Sequence, residues 1–204
     1  MTDDQVFSSS QLQALAKVET DVLTFWLRRG LVLPNQAPDG KGKHHRFHRD
    51  EIMIAAFLRA ARDAGLNVAA LSALVAEVRR GVKLFGFVPP YGRWVGELIE
   101  LVETGRDPFD EFVGRGIMTD EERCRVRAIA EKLSKDEARH LWIGDDVYRG
   151  AGRWMAWRDA DGEWHLSIAS PSIVDGVDGE SGPPFYIVFN CDAIFPFRYG
   201  IEVK

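Results

Sequence analysis

The residues best suited to chemistry lie between Lys41 and Arg49, where the chain places Lys41, Lys43, Arg46 and Arg49 with His44, His45 and His48 and no carboxylate. Such a run suits phosphate and minor-groove contact, because each neutralised phosphate releases counterion and makes binding salt-sensitive. The plain alternative is a solvated loop. The segment upstream favours contact: Asp21 to Arg29 reads as a short helix whose apolar Val22, Leu23 and Trp26 leave Asp21, Thr24, Arg28 and Arg29 on the other face. In a major groove, Thr24 can touch a thymine methyl or a phosphate, and Arg28 can reach guanine or the backbone. Trp26 is expected to pack, and Phe25 to pack with some groove contact. The candidate DNA-contacting set is Ser10, Thr20, Asp21, Thr24, Phe25, Arg28, Lys41, Lys43, His44, His45 and Arg46.

A metal is not expected at the three histidines. Zinc needs a fixed tetrahedral set with an oriented second shell, and a wing loop offers neither. Their partial protonation would instead strengthen DNA binding at lower pH. Cys124 and Cys191 match no disulfide or zinc spacing, so both are expected to be buried apolar residues in a reducing cytoplasm.

Several elements must position these groups. Ser8 with Gln11 forms a capping box for a first helix bearing Leu12, Leu15 and Ala16, and Thr20 can cap the second, which Gly30 ends. Leu31-Val32-Leu33 and His45-Arg46-Phe47 are expected to pair as a wing around Pro34, Pro38 and Gly40. A third helix runs from about Asp50 to Ala64, and Asn67 can cap a fourth with Leu71, Leu74, Val75 and Val78 as its stripe before Gly81. Phe85 to Gly92 breaks the periodicity, and the domain boundary is placed there.

Beyond it, Trp94, Leu98, Leu101 and Val102 make a helical stripe. Thr119 with Glu122 opens another helix that buries Val126, Ile129, Ala130 and Leu133, and Ser134 with Glu137 can restart it. From Val147 the pattern turns to strands, with Trp154–Arg158 and Trp164–Ala169 flanking Asp161-Gly162 as a hairpin and Phe185 to Phe189 as a buried strand. Together these predict an α+β chain in three parts: a winged helix-turn-helix domain over 1–83, a helical linker or dimerisation region over 84–146, and a small, mainly antiparallel β-rich domain over 147–204.

The formal net charge of −5 is unevenly spread. Residues 1–83 hold 12 Lys/Arg against 9 Asp/Glu, a net +3, while 84–204 hold 14 against 22, a net −8. That asymmetry is expected when one half alone meets phosphates. No apolar run approaches the ~20 residues that span a bilayer, and Met1-Thr2-Asp3-Asp4-Gln5 lacks the basic and apolar regions of a signal peptide. The second half is rich in aromatics. Trp154, Trp157, Trp164 and Tyr186, with Asp145, Asp146 and Glu163 nearby, are a candidate effector pocket for an aromatic cation. Ordinary core is the plainer reading, since strand aromatics in alternation usually face inward. With no glycine-rich phosphate loop, no His/Cys/Glu metal set and no nucleophile motif, neither an enzyme nor a cofactor is expected.

From Phe7 to Val78 the chain resembles the MerR (mercury-resistance regulator) family of bacterial transcription factors. Where the family shows Thr-Leu-Arg-Tyr-Tyr-Glu-x-x-Gly-Leu-Leu, this chain has Val22 to Val32. Phe25, Trp26, Gly30 and Leu31-Val32 correspond, while Thr24 stands in place of the family's DNA-contacting arginine and Leu27 in place of its glutamate. In the wing, His45-Arg46-Phe47 replaces Arg-x-Tyr. The resemblance implies a homodimer that binds double-stranded DNA and bends a promoter for RNA polymerase. The family's long dimerising helix is not expected at its usual place, given Pro89-Pro90 and the break at Ser134; the 119–142 helices or the C-terminal sheet are the candidates instead. The expected function is sequence-specific transcriptional regulation with a C-terminal sensing or dimerising part. The competing expectation is an architectural, excisionase-like protein that bends DNA and senses nothing, for which the second half would be superfluous.

Overall fold

The computed structural model describes residues 6–35, 45–86, 94–169 and 186–196. In chain order the elements are β1 (Val6–Ser8), α1 (Ser9–Ala16), α2 (Thr20–Arg28), β2 (Arg46–His48), α3 (Arg49–Asp63), α4 (Val68–Phe85), α5 (Val95–Thr104), α6 (Phe109–Gly114), α7 (Asp120–Ala130), α8 (Lys135–Arg149), β3 (Arg153–Arg158), β4 (Trp164–Ile168), β5 (Tyr186–Asn190) and α9 (Cys191–Ile194). This is an α+β fold with an N-terminal helix-turn-helix and a small antiparallel sheet near the other end.

Among the described residues, those up to Val78 and from Asp146 onward pack as one compact unit, and Arg79–Asp145 as another. The sequence reading sets 1–83 and 147–204 apart as separate domains; in the structure residues of both stretches share one packed unit. The cause lies in α3. Every side chain from Ile52 to Leu58 is at most 1% exposed, and a helix apolar all round needs cover on every side. The α1 helix supplies one side, α9 another, and the C-terminal sheet reaches it through ring contacts. Phe57 meets Trp154 and Phe189 edge-on, each at 5.1 Å between ring centroids. Trp154 in turn meets Phe195 at 5.3 Å and donates its indole N–H to Asp146 Oδ2 at 2.8 Å.

The three-stranded sheet has the order β4-β3-β5, all antiparallel. The hairpin turns at Asp161-Gly162, as expected, with Arg158 opposite Trp164 and Trp154 opposite Ile168. The β5 strand is less buried than its composition implies, because it pairs with β3 on one side and of its residues only Phe189 is buried.

The wing also differs from expectation. Arg46–His48 pairs with Val6–Ser8, Phe7 lying opposite Phe47, and not with Leu31–Leu33. The Leu33 amide donates to the Glu51 carboxylate at 2.8 Å, and Pro34 has no N–H to add to a ladder. Leu31 and Val32 turn into the core, and the Asn35 amide donates to the Arg46 carbonyl at 2.7 Å.

In the Arg79–Asp145 unit, α4 does not stop at Gly81 but continues to Phe85. A Cβ on Gly81 would come within 2.6 Å of the His140 carbonyl oxygen, so glycine lets α4 and α8 pack backbone to backbone. Gly144 is its counterpart on α8, where a Cβ would run into the Gly81 carbonyl and Phe85. Val95, Leu98, Phe109, Val126 and Leu141 form the core of this unit, with Trp94 stacked on Phe112 at 5.0 Å. Both capping boxes appear as expected, Thr119 with Glu122 and Ser134 with Glu137, so α7 and α8 are separate helices. Helix α6 has no counterpart in the sequence reading.

Candidate nucleic-acid interface

The candidate surface begins at the first turn of α1. Ser8 caps the helix by accepting the Gln11 amide while Gln11 reaches back to the Ser8 amide, which satisfies two otherwise unpaired donors. The helix ends at Lys17, which is left-handed at φ 56°, and the Val18 amide donates to the Gln13 carbonyl at 3.0 Å. This tight turn ends α1 and leads into α2. Thr20 is the first residue of α2, and the cap position falls to Glu19 without a side-chain bond, so the expected Thr20 cap is not made.

Helix α2 is held by Leu23 and Trp26, 2% and 1% exposed. Its outward face carries Asp21, Thr24, Phe25, Arg28 and Arg29, all exposed. The Thr24 hydroxyl donates to the Thr20 carbonyl at 2.8 Å, so the side chain offers outward its methyl group and its oxygen as an acceptor. The Arg29 guanidinium lies over the Phe25 ring, 5.5 Å from its centroid. Gly30 takes φ 68° just past the helix, where a side chain would be strained, and releases the chain toward Leu31. Beside α2, toward the α3–α4 turn, lies an open groove of about 430 Å³, walled by Val22, Phe25, Trp26, Leu66, Val68 and Leu71.

A second group forms at the strand pair. Arg46 is exposed and stands opposite Ser8, whose hydroxyl is 2.9 Å from that of the exposed Ser10. His45 is half-buried against Phe47, their rings 6.2 Å apart, and its Nδ1 is enclosed with no partner among the described residues. It is therefore less available to a groove than a wing-tip residue would be. Lys41, Lys43 and His44 lie outside the described residues. In the first turn of α3, burial pushes the Asp50 carboxyl above the usual range, against the opposing pull of Arg49 and His48.

The candidate residues thus fall into two groups, one on the α2 face and one at the Ser10–Arg46 corner. Sequence reasoning passed over Arg29 as a contact, although its i,i+4 spacing from Phe25 was the available signal. It also had no means to find the bond from Arg49 Nη1 to the Tyr148 carbonyl, 2.8 Å across 99 residues of chain.

The four aromatics proposed as an effector pocket are divided between the two faces of the sheet. Strand alternation puts Trp154 and Trp164 on one face of the sheet and Trp157 and Tyr186 on the other, since Trp164 is opposite Arg158 and Tyr186 opposite Trp157. Trp154 is fully buried as core. Trp157 stacks on His165 at 5.3 Å, and His165 Nε2 lies 2.6 Å from Asp159 Oδ2, a hydrogen bond that holds the Asp159 carboxyl below its usual range. Of the cysteines, Cys191 is buried, and burial drives its thiol far up, whereas Cys124 is exposed on α7, contrary to expectation.

Among the described residues no helix is long and apolar enough to cross a membrane. Residues 7–78 match the family model described as MerR HTH family regulatory protein, which takes in β1 through most of α4 and about a third of the chain. No curated protein matches the chain. The N-terminal segment is accordingly a MerR-type helix-turn-helix domain, the kind found in DNA-binding regulators.

Proposed function

We propose that this chain is a sequence-specific DNA-binding regulator of bacterial transcription, acting as a homodimer in the cytoplasm. The observation that carries the reading is the division of labour on α2. Leu23 and Trp26 anchor the helix, while Asp21, Thr24, Phe25, Arg28 and Arg29 stand outward. That face combines acceptors, apolar groups and forked cations, the chemistry that reads base edges. Arg46 and Ser10 add backbone contacts at the strand corner, with Lys41, Lys43 and His44 from the basic run. Dimerisation falls to the second half of the chain, and RNA polymerase is the downstream partner.

The decisive experiment selects bound fragments from randomised duplex DNA at two salt concentrations. An enriched inverted repeat supports a dimeric regulator, and its half-site spacing reports the dimer geometry. Salt-sensitive binding without a motif favours an architectural DNA-bending protein. Failure to bind at either salt removes the DNA reading altogether.

A further inference from the structure

One side-chain pair stands exposed at the C-terminal end of α2, its ring also walling the groove beside the helix. Phe25 and Arg29 are a turn apart, both exposed, with the guanidinium 5.5 Å above the ring centroid. An exposed arginine ordinarily loses rotamer freedom when it engages a partner, and one already seated on an aromatic face has less to lose. A guanidinium that meets a ring through its flat face keeps its in-plane N–H edges for hydrogen bonds. Those edges form the fork that fits O6 and N7 of guanine. The apolar ring of Phe25 is of the type that packs against the C5 methyl of thymine. Arg28 has no aromatic support among the described residues, and the Thr24 hydroxyl has given its proton to the Thr20 carbonyl, leaving only an acceptor and a methyl.

We propose that Arg29 and Phe25 work as one reading unit, Arg29 taking a guanine in the major groove and Phe25 the methyl of a neighbouring thymine. Arg28 is left to the phosphate backbone. This assignment rests on the DNA-binding reading above and adds to it the step that is read and the residues that read it.

The test is duplex selection with the full-length parent, Arg29→Lys, Arg29→Ala and Phe25→Leu, each checked by far-UV circular dichroism and thermal unfolding so that only folded protein is compared. The parent is expected to enrich a site with a guanine beside a thymine. Lysine keeps the charge but not the fork, so Arg29→Lys should flatten the guanine position, losing roughly 5- to 150-fold discrimination, while retaining the parent's affinity for DNA lacking the motif. Phe25→Leu should relax both positions, because the ring contacts one base and holds the residue that reads the other. The proposal is overturned if Arg29→Lys keeps the guanine preference, or if Arg29→Ala weakens all duplexes alike, the mark of a phosphate contact. In both cases the parent still enriches its motif and the DNA-binding reading stands. A parent that enriches no motif overturns the sequence-specific reading itself, and the Arg29–Phe25 assignment with it.

Discussion

Phe57 of α3 and Trp154 of β3 meet edge-on at 5.1 Å, 97 positions apart in sequence, inside a single hydrophobic core. Phe57 belongs to the segment that matches the regulator family, whereas Trp154 lies well outside it. The helix-turn-helix domain therefore completes its core with side chains from the far end of the chain. Truncating Phe57 to alanine should cost about 3–5 kcal/mol, the usual range for a buried aromatic. A fragment of residues 1–83 should lack a cooperative thermal transition, since it would expose Phe57. A cooperative fragment with native-like near-UV signal would show that the sheet is dispensable.

Gly81 and Gly144 let the backbones of α4 and α8 approach each other closely. Gly144→Ala should destabilise by about 1–3 kcal/mol or more, the range for overpacking a filled contact. Gly114 serves as the control, because a Cβ there meets nothing within 4 Å. Gly114→Ala should be neutral or stabilising by up to ~1 kcal/mol. Denaturant midpoints for the two variants, compared with the parent, decide the matter; equal midpoints would mean the crossing relaxes freely.

Asp107 anchors an ion network, with Arg123 at 3.0 Å and Arg127 at 3.2 Å. Burial pushes its carboxyl up, but the Phe109 amide, the Arg123 hydrogen bond and the two guanidinium charges outweigh that and hold it below the usual range. A carboxylate depressed in the folded state adds stability that is present above its unfolded value, near 3.9, and is lost as pH falls through the folded value. Asp107→Asn should therefore lower the melting temperature at pH 7, and the gap to the parent should narrow below about pH 4. A gap independent of pH would assign the effect to packing alone.

Arg28→Ala and Arg46→Ala should each weaken DNA binding without changing the helical signal. The Arg46 variant should lose affinity nearly equally on all sequences and reduce the salt slope by about one, as a backbone contact does. Electrophoretic titrations at three salt concentrations suffice. Parental binding by both variants would place the interface elsewhere.

Much of the DNA-facing half was legible in the sequence because its signals are local. The Ser8–Gln11 box, Gly30, the Asn67 cap and the apolar spacing of Leu23 and Trp26 act within a turn or two of chain, where hydrogen-bond geometry and helix period leave few alternatives. The Asp161-Gly162 hairpin was legible for the same reason. Pairing of β2 with Val6–Ser8 was not, because two short apolar runs competed for one strand and the choice depended on Glu51 capturing the Leu33 amide. The run of apolar residues from Ile52 to Leu58 announced a helix that needs cover on all sides, but not what would cover it. That choice belonged to the tertiary structure: Trp154 and Phe189 can satisfy Phe57 only once the chain has returned, and no local rule reports which distant surface will fill a buried face.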